Sequence, residues 1–318
     1  MGCEFGYMAS ITRPQGCPLV TFSRGVGRLV ALLGAVFVAW AIRREWSQVG
    51  SVLQDVQPLW LVAALGLAIG AMTGIALAWH IALGMTGAPA RVADVLHWYF
   101  VGELGKYVPG GVWAVVGRGE LAARDGRVRA QAYGSVILSL AATYLCGMGV
   151  AVALLLGSGF GELRTLEIGA LAVLFLVGIF ALHPAVLGRI FSQVSKRWPE
   201  RFPVVAPSFS SGLGLVAANL PSWLAMGLAT SCVAQALGLE VPLGEIMLAT
   251  ALSWVLGFLV IPAPGGMGVR EAVFTLTVGS LSGGGAAAVA ILARLIFMMS
   301  DAVGAAIFTL WSLISERR

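Results

Sequence analysis

The chain has 318 residues, of which 58% are hydrophobic and only 11% are charged, and its mean hydropathy is +0.90. A soluble domain carries about 25% charged residues, so this composition excludes a soluble globular protein and predicts an integral membrane protein. The formal net charge of +5 does not indicate a nucleic-acid partner, because cytoplasmic loops of membrane proteins are basic for topological reasons.

The predicted order begins with a short cytoplasmic tail, residues 1–24, followed by one polytopic membrane domain over 25–318. A helix needs roughly 20 apolar residues to cross the hydrocarbon core. We therefore predict an all-α integral membrane protein with six full transmembrane helices. The six apolar runs are 25–42, 58–83, 131–157, 166–188, 209–236 and 286–314.

Two further apolar regions, 92–122 and 245–279, are too long for one span, and each contains Pro-Gly-Gly near its middle. Proline and glycine interrupt helices. Each region is either a re-entrant broken-helix hairpin, which enters and leaves on one side, or a pair of spans, which gives eight spans in total. We favour the hairpins, because a pair of complete spans needs more residues than 92–122 supplies.

The two broken regions share a tryptophan upstream, the Pro-Gly-Gly turn and an arginine downstream. The shared residues are Trp98, Pro109, Gly110, Gly111 and Arg118 in the first region and Trp254, Pro264, Gly265, Gly266 and Arg270 in the second. An odd number of predicted spans separates the regions, so the units 58–157 and 209–314 form an inverted-topology repeat. Such repeats with broken helices are typical of alternating-access carriers. The alternative is that Pro-Gly-Gly is a turn between two ordinary helices.

The distribution of basic residues predicts the orientation. With a cytoplasmic N-terminus and two re-entrant hairpins, 15 of the 20 basic residues lie on the cytoplasmic side and four on the outer side. This asymmetry follows the positive-inside rule. We therefore predict a multi-pass protein of the cytoplasmic (inner) membrane with both termini cytoplasmic.

Each Pro-Gly-Gly break predicts an anion site. The half-helix that follows it begins with unpaired backbone N–H groups at the positive end of the helix dipole, and such ends bind phosphate. Arg118 and Arg270 lie within two turns and can add a bidentate contact. For Arg118 a snorkelling position at the interface is an equal alternative. For Arg270, on the side where positive charge is scarce, we favour a site role.

Other charges in apolar surroundings are candidates for ion pairs or for coupling. Glu103 and Lys106 are three residues apart and can pair. Glu271 is free to compensate a neighbour. Arg294 and Asp301 share a face of the last span, where they form either a structural ion pair or part of a coupling site. The candidate proton carriers are Asp301, Glu103 and Glu271.

Signatures of catalysis are weak. The four cysteines and three histidines show no metal-ligand or CxxC spacing, and no GxxxxGK[ST] loop occurs. We predict no catalytic residue, no metal, no cofactor and no built-in ATP motor, and hence a carrier rather than an enzyme.

The motifs of both broken regions resemble the flippase-like membrane family. Its best-known member is the membrane half of the lysylphosphatidylglycerol synthase/flippase, the multiple peptide resistance factor. The resemblance rests on Gly-Lys-Tyr-Val-Pro-Gly-Gly-Val-Trp at 105–113 and Pro-Ala-Pro-Gly-Gly-Met-Gly-Val-Arg-Glu at 262–271, and it covers about 25–314. It implies that a lipid head group passes between the two hairpins. The head-group-binding residues implied are Lys106, Tyr107, Gly110, Gly111, Arg118, Gly265, Gly266, Arg270 and Glu271.

The cargo and partners stay open. Bifunctional members of that family carry a soluble aminoacyl-transferase domain that is not in this sequence, so we expect a separate lipid-modifying enzyme or glycosyltransferase to supply any modified lipid. The cargo is either an anionic phospholipid or a polyprenyl-phosphate saccharide, and homo-oligomerisation is open. The flippase hypothesis predicts that Arg118 and Arg270 face one shared polar cavity. The alternatives are an accessory scaffold of an envelope-synthesis complex, with its arginines neutralised, and a glycosyl or acyl transferase.

Overall fold

The computed structural model of the chain describes residues 56–108, 112–157, 165–195, 204–259, 266, 268–281 and 284–315. All regular elements within these ranges are helices, so the predicted all-α fold is confirmed. The predicted tail 1–24 and span 25–42 lie outside the described residues. The helices are α1 (Pro58–Met85), α2 (Val92–Glu103), a 3-10 turn (Leu104–Tyr107), α3 (Trp113–Arg124), α4 (Arg129–Gly157), α5 (Thr165–Ala181), α6 (Pro184–Ser195), α7 (Phe209–Ala218), α8 (Leu220–Ala236), α9 (Leu243–Leu259), α10 (Val269–Thr277) and α11 (Gly285–Ser315).

Four stretches of the described chain are long and apolar enough to cross a membrane, namely 58–85, 129–157, 209–236 and 285–314. They coincide with four of the six predicted spans. The chain is therefore a multi-pass membrane protein. The total number of spans stays a prediction.

The predicted span over 166–188 is not one continuous helix, because the chain there forms α5 and α6, which are bent by 76° at the break between them. Pro184 is the first residue of α6. A proline cannot continue the helix that precedes it, and it disfavours helical geometry at the residue before it. The pair forms at most one broken span, which gives up to five spans in the described ranges.

The first broken region forms a tight hairpin of α2 and α3. A Cβ atom built on Gly117 would lie 3.1 Å from the Cα of Gly102, and one built on Gly105 would lie 2.7 Å from the carbonyl carbon of Trp113. The two backbones therefore touch. Each arm has 12 residues, about 18 Å of helix, which is too short for a hydrocarbon core about 30 Å thick.

The second broken region, α9 and α10, is also a hairpin. The Glu245 carboxylate in the first turn of α9 accepts hydrogen bonds from the backbone N–H groups of Gly279 and Ser280, just beyond the end of α10. The start of one arm and the end of the other thus lie at one level. With its nine residues, α10 is about 14 Å long. These dimensions favour re-entrant hairpins over eight spans.

The two predicted repeat units pack through equivalent pairs of helices. The first arm of each hairpin packs on the last helix of the other unit: α2 lies on α11, and α9 lies on α4. Helices α1 and α8 run antiparallel, since the Gln57 N–H donates to the Ala236 carbonyl at 3.0 Å and Gly74 lies against Ser222. Equivalent helices of opposite direction are what an inverted repeat requires, and they support that prediction.

Candidate functional site

A cluster of charged side chains lies where the first hairpin meets α11. Lys106 Nζ is 2.7 Å from Asp301 Oδ2 and 3.1 Å from Glu103 Oε2. Arg118 Nη2 is 3.5 Å from Glu103 Oε1, and the Tyr107 hydroxyl donates to Asp301 Oδ2 at 2.6 Å. The predicted Glu103–Lys106 pair is formed, but it belongs to a larger network.

The 3-10 turn positions this network. The last turn of α2 tightens into the 3-10 turn, which contains Lys106 and Tyr107, and both side chains reach α11. Gly105 makes this geometry possible because its missing side chain lets the turn contact the Trp113 backbone. The glycine therefore permits the close approach on which the site depends.

Arg118 does not snorkel, because its residue surface is only 1% exposed and a snorkelling arginine keeps its head in water. Its guanidinium carbon lies 5.7 Å from the Trp79 ring centre and 5.4 Å from that of Tyr99. Gly102 provides room for the stem, since a Cβ there would lie 2.6 Å from Arg118 Cγ. Arg118 is thus a buried cation between aromatic rings.

Arg270 packs in an equivalent way on the second hairpin. A Cβ on Gly257 would lie 2.5 Å from Arg270 Cγ, so Gly257 makes room for Arg270 as Gly102 does for Arg118. The Arg270 guanidinium carbon is 3.9 Å from the Trp254 ring centre. Its Nε is buried without a hydrogen-bond partner, and no carboxylate of the described chain lies within salt-bridge distance.

Glu271 and Arg294 pair with each other, with 2.6 Å between Oε1 and Nη1. The second carboxylate oxygen of Glu271 accepts a hydrogen bond from the Gly268 N–H at 2.7 Å. Glu271 therefore caps α10 in the place where we predicted an open phosphate site. The predicted association of Arg294 with Asp301 is not formed either, because each of these residues has a partner on a different hairpin.

Two cavities flank this cluster. The space beside Arg118 measures about 390 Å³ and that beside Arg270 about 510 Å³, and both figures include volume that is open to solvent. The polar and aromatic walls of the Arg118 cavity include Tyr99, Glu103, Arg118, Thr143, Tyr144 and Trp254. Those of the Arg270 cavity include Tyr107, Ser253, Trp254, Arg270, Glu271 and Arg294. The two arginines thus line neighbouring cavities that share the Trp254 indole, and not the single cavity that we expected.

The charges of the cluster do not balance. Each of its other cations has a carboxylate within 4.0 Å, whereas Arg270 has none among the described residues. The paired cations are Lys106, Arg118 and Arg294, and the carboxylates are Glu103, Glu271 and Asp301. One positive charge is left over, and it lines the Arg270 cavity.

Several predicted residues cannot be placed in this site. Gly110, Gly111 and Gly265 lie outside the described residues. Gly266 is buried against the Arg270 side chain, with φ at +73°. Within the described ranges, no group of histidine, cysteine or acidic side chains could hold a metal ion.

Sequence reasoning missed the cavity residues Thr143, Tyr144, Thr230 and Ser253, and also Trp79, whose ring lies against Arg118. Their signal was a hydroxyl or indole group inside an otherwise apolar run.

A search of curated proteins finds no match. A family model described as the lysylphosphatidylglycerol synthase TM region matches residues 26–303, which include both hairpins and every charged residue of the cluster. The chain therefore belongs to the family of the lysylphosphatidylglycerol synthase transmembrane region, a family of lipid-related membrane proteins.

Proposed function

We propose that the protein is a lipid flippase, which moves the head group of an anionic or polyprenyl-phosphate-linked (glyco)lipid across the cytoplasmic membrane between the two hairpins. The observation that supports this proposal best is Arg270, a cation that lines a polar cavity and has no carboxylate partner in the described chain. The phosphate group common to both lipid classes is the anion that would complete it.

The cost of burying charge supports a ligand at Arg270. Arg270 is partly buried, and its buried Nε has no hydrogen-bond partner among the described residues. Removing a cation from water without a counter-ion costs free energy, and ionisable groups inside a membrane mark ligand pathways. The Trp254 ring, whose centre lies 3.9 Å from the guanidinium carbon, contacts the guanidinium through a cation–π interaction, which uses no N–H donor of the arginine. Arginine binds phosphate through these N–H donors.

The Arg118 cavity offers a second station for the head group. It shares Trp254 with the Arg270 cavity and contains a cation from the other hairpin. Passage of a phosphate from one arginine to the other fits alternating access between inverted repeats. The equivalent packing of α2 on α11 and of α9 on α4, which joins the two repeat units, supports this proposal.

The accessory-scaffold alternative requires every arginine of the charged cluster to be neutralised. Arg118 and Arg294 meet this requirement, each with a glutamate. Arg270 does not. The unpaired charge therefore favours transport over a purely structural role.

A transferase requires a free acid–base group in a cavity. Glu103 is engaged by Lys106 and Arg118, and Glu271 is engaged by Arg294 and the Gly268 N–H. Both cavity carboxylates are thus occupied, and we propose that the chain is not itself an enzyme. An enzyme that produces the cargo is its expected partner.

The test is lipid movement in liposomes that contain the purified protein. The probes are phosphatidylglycerol carrying a dithionite-quenchable fluorophore on one acyl chain, and a fluorescent polyprenyl-phosphate sugar. Arg270→Ala removes a charge-assisted contact worth about 1.5–3 kcal/mol, so we expect the wild-type rate to fall by about tenfold or more. The matched control is Arg91→Ala, which removes an exposed arginine paired with Asp94 and should leave the rate unchanged.

Two results would contradict the proposal. One is a folded wild-type protein that moves neither probe. The other is an Arg270→Ala variant that moves both probes at the wild-type rate.

A further inference from the structure

We propose that Asp301 carries one proton together with each lipid head group, so that movement of the lipid is driven by a pH gradient. This inference rests on the proposed flippase function and identifies its coupling ion. It stands on the placement of Asp301, its two donors and the Arg270 cavity.

Asp301 is completely buried in the middle of α11, with an exposed fraction of 0%. The Lys106 ammonium at 2.7 Å and the Tyr107 hydroxyl at 2.6 Å both contact the same oxygen, Oδ2. The other oxygen, Oδ1, is buried and has no hydrogen-bond partner among the described residues. The two donors on Oδ2 therefore stabilise the negative charge of this carboxylate. The second oxygen, Oδ1, is available to accept a proton.

Both donors also border the proposed phosphate site. Tyr107 lines the Arg270 cavity directly. Lys106 Nζ lies 5.8 Å from the centre of the Trp254 ring, and Arg270 lies against that same ring. A phosphate bound by Arg270 therefore competes with Asp301 for the Tyr107 hydroxyl and the Lys106 ammonium.

The groups around Asp301 leave it no substitute cation. From α2, Glu103 and Tyr99 face the cluster, and the 3-10 turn provides Lys106 and Tyr107. The charged groups of α10 are already assigned: Arg270 to the proposed phosphate site and Glu271 to Arg294. The remaining packed helices, α1 and α8, contain no acidic or basic side chain apart from His80. When its two donors turn to the phosphate, the Asp301 carboxylate is buried beside Glu103 without a donor, and protonation removes the charge.

One transport cycle combines the negative charge of the lipid with the positive charge of one proton. In the empty protein Asp301 is a carboxylate paired with the Lys106 ammonium. A phosphodiester head group brings one negative charge, and Asp301 takes one proton from the water on the side to which the cavity is open. On the opposite side the head group leaves, the proton returns to water, and Lys106 pairs with Asp301 again. The lipid and the proton cross together, and no net charge is moved.

The first experiment uses wild-type liposomes and the labelled phosphatidylglycerol, with the membrane potential clamped by potassium and valinomycin. Symport of one proton predicts that a gradient of one pH unit enriches the probe about tenfold in the leaflet on the alkaline side. A change of membrane potential at equal pH should cause no enrichment. Movement that ignores the pH gradient overturns the coupling alone, whereas absence of movement overturns the proposed function as well.

The second experiment compares Asp301→Asn with Asp94→Asn, a substitution at an accessible carboxylate paired with Arg91. The amide introduced by Asp301→Asn has the shape of the protonated acid, so the variant should still equilibrate the probe between leaflets but lose its enrichment by the gradient. Asp94→Asn should keep both. An Asp301→Asn variant that enriches the probe like the wild type overturns the proposal.

A third measurement needs no variant and is independent of the folding of Asp301→Asn. Wild-type protein in detergent is mixed with dihexanoyl phosphatidylglycerol in weakly buffered solution that contains a pH indicator. We expect uptake of one proton for each lipid bound. Binding without proton uptake overturns the proposal.

Discussion

The two hairpins place an arginine in the same way but balance its charge differently. On each hairpin a glycine of the first arm makes room for the arginine stem of the second arm, Gly102 for Arg118 and Gly257 for Arg270. After Gly102 the next residue is Glu103, which pairs with Arg118, whereas after Gly257 it is Phe258, which stacks on Tyr144 at 3.8 Å. The repeated geometry thus produces one cation that is neutralised by a glutamate and one that has no carboxylate partner among the described residues.

The largest expected effect is on protein stability, which should fall when Arg118 is replaced and should not fall when Arg270 is replaced. Arg118→Met leaves Glu103 with Lys106 alone, and removal of one partner of a buried ion pair costs about 3–5 kcal/mol. Arg270→Met removes an uncompensated charge and should not lower stability. Thermal denaturation in detergent, followed by tryptophan fluorescence, measures both. Equal losses of stability would mean that Arg270 also has a counter-ion within the chain.

A smaller effect on stability should distinguish the two glycines that make room for the arginines, Gly102 and Gly257. A Cβ at position 102 would lie 2.9 Å from the Arg118 backbone nitrogen, whereas one at 257 would meet only the Arg270 side chain. Because side chains yield more easily than backbone, Gly102→Ala should cost about 1–3 kcal/mol and Gly257→Ala less. The control is Gly70→Ala on α1, where no atom lies within 4 Å of the added Cβ. Melting temperatures that fall equally for Gly102→Ala and Gly70→Ala would refute the close crossing of α2 and α3.

The smallest effect concerns ligand affinity. Glu103→Gln keeps a hydrogen-bond acceptor for Lys106. It leaves Arg118 without a carboxylate partner, which is the situation of Arg270 in the wild-type protein. We expect the variant to bind dihexanoyl phosphatidylglycerol about tenfold more tightly in the Arg118 cavity, because a charge-assisted contact worth roughly 1.5 kcal/mol becomes available. Calorimetric titration of the Arg270→Ala background isolates this cavity. Unchanged affinity would indicate that Glu103 does not compete with the ligand.

Much of the fold could be predicted from the sequence because its signals are local. Apolar runs give the spans, and Pro-Gly-Gly turns with short flanking segments give the hairpins. The bend before Pro184 has an equally local cause, but hydropathy averaged over 166–188 concealed it. The span over 25–42 and the tips of the hairpins lie outside the described residues.

The charged residues of the site could be predicted from the sequence, but the contacts between them could not. Glu103, Lys106, Arg270 and Asp301 stand out as charges in apolar surroundings. Spacing within one helix suggested that Asp301 associates with Arg294, whereas its actual partners, Lys106 and Tyr107, lie 195 and 194 positions away in the sequence. Such contacts depend on how α2 packs against α11, and no local pattern indicates that packing.

Helix α11 has a mechanical consequence for both hairpins. Lys106 and Tyr107 fasten the first hairpin to Asp301, and Glu271 fastens the second to Arg294. The two anchor points are seven residues apart on one helix, about 10 Å along its axis. A shift or rotation of α11 would strain both sets of contacts at once, so the two hairpins are linked through one helix as long as these contacts are formed.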